Sequence, residues 1–267
     1  MQLLIRSLYL DIQFVSFPLP KWEIIIFLIK KYILLLKNII FGFKPGQSYI
    51  KIFGHNYYYY DKFGIAFLQS VMIEGQCLTS YIKPNSIIVD VGAHVGEFNL
   101  FSKLILKALQ VISIEPIKQS YLLLRKNAAG KTYNFAVSTE KNVIMYTHDT
   151  TIMSSSLKNG RAERTEKCQG IYLDNLEEVN KLKKIDLLKI DVEGAEYNVL
   201  ITSQKTLKKT RYLFIEASIN RPSYGDIHDI LHLVKKSCPL AKLIYIGKPF
   251  IVFGKPFCVD LLIKCNT

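Results

Sequence analysis

Carboxylates recur in this chain where short apolar runs end. Asp90 sits near the end of "IIVDV" and leads into Gly92, Ala93, His94, Gly96 and Glu97. Glu115 closes "QVISIE", 25 residues after Asp90. Asp191 and Glu193 follow "LLKI", and Glu216 closes "YLFI". One such acid is ordinarily a helix cap or a first-turn residue favoured by the helix dipole. Several gathered at one edge would instead make a seat for a cationic ligand, with a carboxylate to spare as a general base.

The elements that must position these acids are a βα array. "SIIVDV", "QVISIE", "YNFAVS", "IDLLKIDV", "RYLFIEAS", "AKLIYIG" and "FCVDLLIK" read as strands. A helical stretch runs to about Leu109, and Pro116 opens the next helix. Continuous apolar strands alternating with helices indicate a mostly parallel sheet covered on both faces, an α/β fold. Ligands in such sheets bind beyond the carboxyl ends of the strands, near the switch in strand order. Residues 143–173 break into polar sequence with short strand-like pieces, read as an excursion over that edge.

A nucleotide diphosphate would want G-x-G-x-x-G at the first helix. Here the turn is Gly92-Ala93-His94-Val95-Gly96, flanked by Asp90 and Glu97, which would repel phosphate. Carboxylates suit S-adenosylmethionine, which carries an ammonium and a sulfonium. Gly92 and Gly96 would let the backbone approach its amino-acid part, and Glu115 could accept from both ribose hydroxyls.

"IDLLKIDVEGAEYNVL", with "VDVGAHVGEF", "SIEP", "NFAVS" and "YLDNL", resembles the FkbM family of S-adenosylmethionine-dependent methyltransferases over about residues 86–218. The resemblance implies the class I methyltransferase (Rossmann-like) fold, a seven-stranded sheet with "FCVDLLIK" as an antiparallel last strand. It also implies O-methylation of a hydroxyl on a sugar, glycan or related acceptor. Carried over by motif, Asp90, Gly92, Ala93, His94, Gly96 and Glu97 would line the methionine part of the cofactor. Glu115 and Pro116 would lie at the ribose, and Ala136 and Val137 near the adenine. His94 stands where the family usually has Asn. "MSSSL" (153–157) resembles the family's Ser-rich block.

Methyl transfer to a hydroxyl needs alignment and a base. Asp191, beside the expected sulfonium, is the first candidate, followed by Glu193 and Glu216, with His94 and His228 as further options. Asp191 and Glu216 could also hold a divalent ion through oxygen, although none is assigned. Glu196 reads equally as a cap of the helix it begins. Two other classes fit less of the pattern: an NAD-type oxidoreductase on a similar sheet, and a non-catalytic membrane-surface binding protein.

The chain has 267 residues, 49% hydrophobic and 21% charged, with a net charge of +13. That length and composition suit one large domain with an extension. The charge suits acidic partners such as an anionic membrane, without choosing among them; no specific nucleic acid is expected. Five cysteines without C-x-x-C read as reduced thiols of a cytoplasmic protein.

Three regions emerge. Residues 1–47 form an N-terminal extension, 48–85 a hairpin and helix, and 86–267 the main domain. "FPLP" stops any helix before Lys21. Residues 21–43 then form an amphipathic helix whose Glu23, Lys30, Lys31, Lys37 and Asn38 share one stripe. Its broad apolar remainder would lie in an anionic membrane surface, or pack on the domain or a second copy of the chain. "SYIKIFG" and "NYYYY" flank a turn at Gly54-His55-Asn56, and alternation would bury half of the four tyrosines. Residues 63–82 read as a helix.

Overall fold

The computed structural model describes residues 2–41, 48–59, 64–147, 164–219, 225–252 and 255–266. The Ser-rich block at 153–157 and Tyr60 lie outside the described residues.

Two helices open the chain, α1 (Gln2–Val15) and α2 (Lys21–Phe41), with the break at "FPLP". A hairpin follows, β1 (Ser48–Ile52) and β2 (His55–Tyr59), then α3 (Gly64–Glu74), extended by a 3₁₀ turn to Ser80. The hairpin turns earlier than the sequence suggested. Phe53 and Gly54 both have positive φ (50° and 75°), while His55 already pairs with Ile52. Two left-handed residues match the twist of the flanking strands.

The main domain runs β3 (Ile87–Val91), α4 (Glu97–Leu104), β4 (Gln110–Ile114), α5 (Lys118–Asn127), β5 (Lys131–Tyr133), β6 (Ala136–Val137), β7 (Asn142–Thr147) and β8 (Arg164–Ile171). It continues with α6 (Glu177–Lys181), β9 (Ile185–Ile190), α7 (Glu196–Ile201), α8 (Gln204–Lys208), β10 (Thr210–Ser218), α9 (Ile227–Ser237), β11 (Lys242–Ile246), β12 (Phe250–Val252) and β13 (Lys255–Lys264).

The main sheet has the order β11-β13-β10-β9-β3-β4-β5, with β12 added on β13. The pairs β3–β4, β4–β5, β3–β9 and β9–β10 are parallel, and β13 is antiparallel to both β10 and β11. This is the class I methyltransferase arrangement. Neighbouring strand residues alternate between two cores. Ile88, Leu187 and Phe214 join the cluster under α3, α4 and the hairpin, while Val89, Leu188 and Leu213 join the one under α7 and α9. Burial on both faces is why the strands read as unbroken apolar runs.

"YNFAVS" is not one strand. Tyr133 ends β5 in the main sheet, whereas Ala136 and Val137 pair with Gly170 and Ile171 in a separate sheet ordered β6-β8-β7. The break falls at Asn134, whose side-chain amide donates to the carbonyls of Glu115 (2.9 Å) and Pro116 (2.7 Å). The helix after β3 is also shorter than expected, ending at Leu104.

On α2 the side that packs is not the broad apolar one. Ile24, Phe27 and Lys31 are buried, while Ile29, Ile33, Leu36 and Ile40 are exposed. The Lys31 ammonium lies 2.6 Å from the Asp11 carboxylate of α1 and 2.8 Å from Gln69 Oε1 of α3, and Gln69 also donates to Asp11 at 2.9 Å. This three-helix polar clamp is buried. The wheel places Lys31 correctly in the polar stripe, but the stripe turns partly inward because its partner is 20 residues upstream. No helix among the described residues is long and apolar enough to cross a membrane.

Removing one partner of a buried ion pair leaves the other charge uncompensated. Lys31→Ala is therefore expected to destabilise the chain by roughly 3–5 kcal/mol. Lys31→Met combined with Asp11→Leu and Gln69→Leu, which removes the whole buried polar set, should recover much of the loss, read by chemical denaturation.

Candidate active site

The site is built at the switch in strand order, where β3 sends the chain one way to β4 and β9 lies on its other side. Gly92 leaves β3 with φ 81°, and its N–H and that of Ala93 both donate to Ile114 O at 3.0 Å. A Cβ at Gly92 would stand 1.7 Å from the backbone oxygen of Asp191, so no other residue fits the junction of β3 with β9. Gly96, φ 101°, is the N-cap of α4. His94 also has positive φ, 47°, a conformation for which Asn and His are both enriched among non-glycine residues. The backbone of the turn thus accounts for the exchange of Asn for His.

Asp90 is fully buried, and neither of its oxygens accepts a hydrogen bond among the described residues. Its nearest cation is the Lys189 ammonium, 3.5 Å away. Burial raises the Asp90 pKa to about 6, with Lys189 opposing the rise. A buried carboxylate without a donor is costly. A cationic ligand in the glycine turn would relieve that cost, so the residues fit S-adenosylmethionine. Glu115, also buried, accepts from the backbone N–H groups of His94 and Ile117, both at 2.9 Å. Each of its oxygens keeps a second lone pair for a ribose hydroxyl. Burial raises Glu115 to about pKa 7 against the opposing pull of His94 and the two N–H groups.

Glu97 is held rather than offered. Its carboxylate accepts from the Tyr57 hydroxyl at 3.0 Å and pairs with His94 Nδ1 at 3.0 Å. Burial alone would raise its pKa, but His94 and these hydrogen bonds bring it below the ordinary value. Tyr57 belongs to the hairpin, and a second tie joins the same elements: Asn127 donates to the carbonyls of Tyr58 and Val95 at 2.7 Å each. The hairpin therefore braces the glycine turn. Ala136 and Val137 are buried in apolar clusters, Ala136 beside Ile117 and Met145, and their backbone pairs with Gly170 and Ile171 of β8. The Pro116 carbonyl is taken up by Asn134 and the Cys168 thiol.

On the other side of the switch, Asp191, Glu193 and Glu216 come together. One carboxylate oxygen of each lies within 4.8 Å of the others. Three oxygen donors so placed could hold a magnesium-like ion. A cleft beside them is lined by Glu74, Phe98, Lys189, Asp191, Glu216 and Asp260, among others. Lys189, buried on β9, donates to Asp191 at 3.1 Å and lies over the Phe98 ring at 5.3 Å. Burial would lower its pKa, but Asp191, Asp90 and Glu216 raise it instead. Glu216 sits opposite Asp260 in the β10–β13 register. Burial, then Asp191, Glu193 and Asp260, push Glu216 well above the carboxylate range. Burial, Glu74 and Asp191 push Asp260 up to about 7.

Lys189, Asp260, Glu74 and Tyr57 were not singled out as site residues in the sequence. The signal for Lys189 was a lysine inside an otherwise apolar central strand. Of the two histidines considered as bases, His94 is committed to Glu97, and His228 stands exposed at the start of α9, outside the cleft lining. Glu196 accepts from Gly194 N at 2.6 Å and braces the turn before α7, but it does not cap the helix: the N-cap is Ala195, which has no side-chain cap hydrogen bond. The five cysteines are free.

Residues 90–238 match the family model described as the methyltransferase FkbM domain. The chain is 25% identical over 184 residues to methyltransferase sdnD of Sordaria araneosa, covering 54% of this chain and 71% of that protein. It is 26% identical over 143 residues to methyltransferase 1 of Beauveria bassiana, covering 43% of this chain and 57% of that one. Among solved structures it is similar to M. jannaschii TYW2 in complex with AdoMet, at a TM-score of 0.43 and 13% identity over 83% of this chain and 86% of that chain.

Two expectations follow from the cofactor side. Asp90 and Glu115 have folded-state pKa values raised to about 6 and about 7 from 3.8 and 4.5, so folding favours their protonated forms. Their contribution is full below the unfolded values and is lost as pH rises through the folded ones. Thermal melts of the ligand-free protein should therefore fall between about pH 4 and pH 7, while affinity for S-adenosylmethionine, measured by calorimetry, rises as the two groups ionise between about pH 5 and pH 8. An affinity that ignores pH over that interval would remove both carboxylates from the ligand's surroundings. Gly92→Ala, in turn, should abolish cofactor binding and lower the melting temperature, because the backbone of Asp191 has nowhere to retreat.

Proposed function

Because residues 90–238 place this chain in the FkbM methyltransferase family, it is an S-adenosylmethionine-dependent methyltransferase, and we propose that its acceptor is a hydroxyl of a sugar, glycan or glycolipid-like molecule. The observation that carries this reading is the cluster of carboxylates beside the glycine turn, with Glu216 raised well above the carboxylate range and Asp260 to about 7. A carboxylate raised in this way takes up a proton more readily than an ordinary one.

When bound, S-adenosylmethionine supplies an electrophilic methyl group on a sulfonium. Asp90, Gly92 and Gly96 form the seat for its amino-acid part, and Glu115 the partner for its ribose. Glu216 takes up the proton that the acceptor hydroxyl sheds. Asp191 was the first candidate in the sequence, but its carboxylate is engaged by the Lys189 ammonium at 3.1 Å. We assign Asp191 to fixing charge at the cleft and Glu216 to the proton. Phe98 and Phe214 supply apolar walls to the same cleft, which suit the less polar face of a sugar ring. The family match leaves the oxidoreductase reading without support.

Glu216→Gln keeps size and removes the charge. Turnover is expected to fall by about 10²–10⁴, the range for a lost general base, with cofactor affinity nearly unchanged. The parent enzyme should gain activity as pH rises through the Glu216 ionisation, and the variant should lose that limb. Mass spectrometry of cell glycans and lipids with and without the gene identifies the acceptor by the mass of one added CH₂. Chelation by EDTA separates a metal-ligand role for Asp191, Glu193 and Glu216 from a proton-transfer role, since only the former predicts loss. Near-normal turnover in a folded Glu216→Gln protein would return the assignment to Asp191 or Glu193.

A further inference from the structure

The outer face of α2 carries Trp22, Ile26, Ile29, Ile33, Leu36 and Ile40, all exposed. They recur every three or four residues and make one stripe about 27 Å long at the usual rise per residue. Leu8, Ile12 and Val15 of α1 are likewise exposed. An exposed apolar stripe of the length seen on α2 is rare on a free monomer and marks an interaction site. Its rim is basic. Taking about 100° per residue, Lys30 and Lys37 fall on one flank of the α2 stripe and Lys21 on the other. Lys248 reaches α1 from the loop after β11, donating to the Tyr9 hydroxyl at 3.1 Å. The acids of the described part of this pair are Asp11, buried in the clamp, and the partly buried Glu23.

We propose that this face docks on the surface of an anionic bilayer, with α1 and α2 lying in the plane of the interface. The charge pattern selects that occupant. An apolar centre flanked by ammonium groups matches acyl chains beneath a layer of acidic headgroups. A second copy of the same face would bring lysine rims together by symmetry and gain no opposite charge. Trp22, exposed at the start of α2, suits the headgroup level. The inward clamp of Lys31, Asp11 and Gln69 keeps the polar side of the helices on the protein, so the apolar side cannot fold back onto it.

Sedimentation of the full chain with vesicles tests this. Binding is expected with phosphatidylcholine containing phosphatidylglycerol, and much less with phosphatidylcholine alone. Ile29→Asp with Ile33→Asp should leave the chain in the supernatant, while S-adenosylhomocysteine binding, which reports the fold, is unchanged. Lys30→Glu with Lys37→Glu should weaken binding to the anionic vesicles by roughly tenfold or more. The proposal is overturned if neither vesicle is bound, or if the paired aspartates leave sedimentation unaltered. It is equally overturned if light scattering finds a dimer that the aspartates dissociate while vesicles are ignored, because the face would then belong to a second copy.

Discussion

One buried ammonium governs how much negative charge the carboxyl edge of this sheet can hold. Lys189 stands between Asp90 and Asp191, on the strand that joins the glycine turn to the Asp191, Glu193 and Glu216 cluster. With Glu216 and Asp260 close enough to perturb it or be perturbed by it, several carboxylates share this one cation among the described residues. Buried like charges cannot all ionise without compensation. The chain meets that constraint in two ways. Asp90 and Asp191 flank the ammonium, and Glu216 and Asp260 are pushed towards holding protons. The base and the cation seat that we propose thus rest on a single shortage of positive charge.

The glycine turn depends on the same strand from another direction. The backbone oxygen of Asp191 occupies the space that a side chain at Gly92 would need. On its far side the turn is steadied by the hairpin, through Tyr57 to Glu97 and Asn127 to Val95. The region before the main domain is therefore part of the architecture of the site. α3 extends the link, since Val71, Glu74 and Gly75 line the cleft while Gln69, on the same helix, joins the clamp with α1 and α2.

Much of this was legible in the sequence wherever one physical rule governed several residues at once. Unbroken apolar runs gave the strands, because both faces of the sheet are covered. Acids at run ends gave the site edge, and the structure brings Asp191, Glu193 and Glu216 together as read. Alternation correctly buried Tyr57 and Tyr59, but could not reveal that the Tyr57 hydroxyl would meet Glu97, 40 residues on. The split of "YNFAVS" escaped because Asn134 is diverted by carbonyls of another loop. The helical wheel found the lysine stripe of α2 yet not which side would pack, since Lys31 is drawn inward by Asp11, in a helix the sequence left unassigned.

The stacking of Phe14 and Phe27 around Phe53 bears on how the protein can be handled. Phe27 lies 5.6 Å from Phe53 with nearly parallel rings, and Phe14 sits 4.9 Å from Phe27. Phe53 is one of the two residues that turn the hairpin, so the opening helices roof the tip of the hairpin whose Tyr57 and Tyr58 support the glycine turn. Cutting them away to improve solubility would strip that tip to solvent and orphan Gln69. A well-behaved preparation is better sought by recolouring the outer stripe with polar residues, leaving the underside of both helices in place.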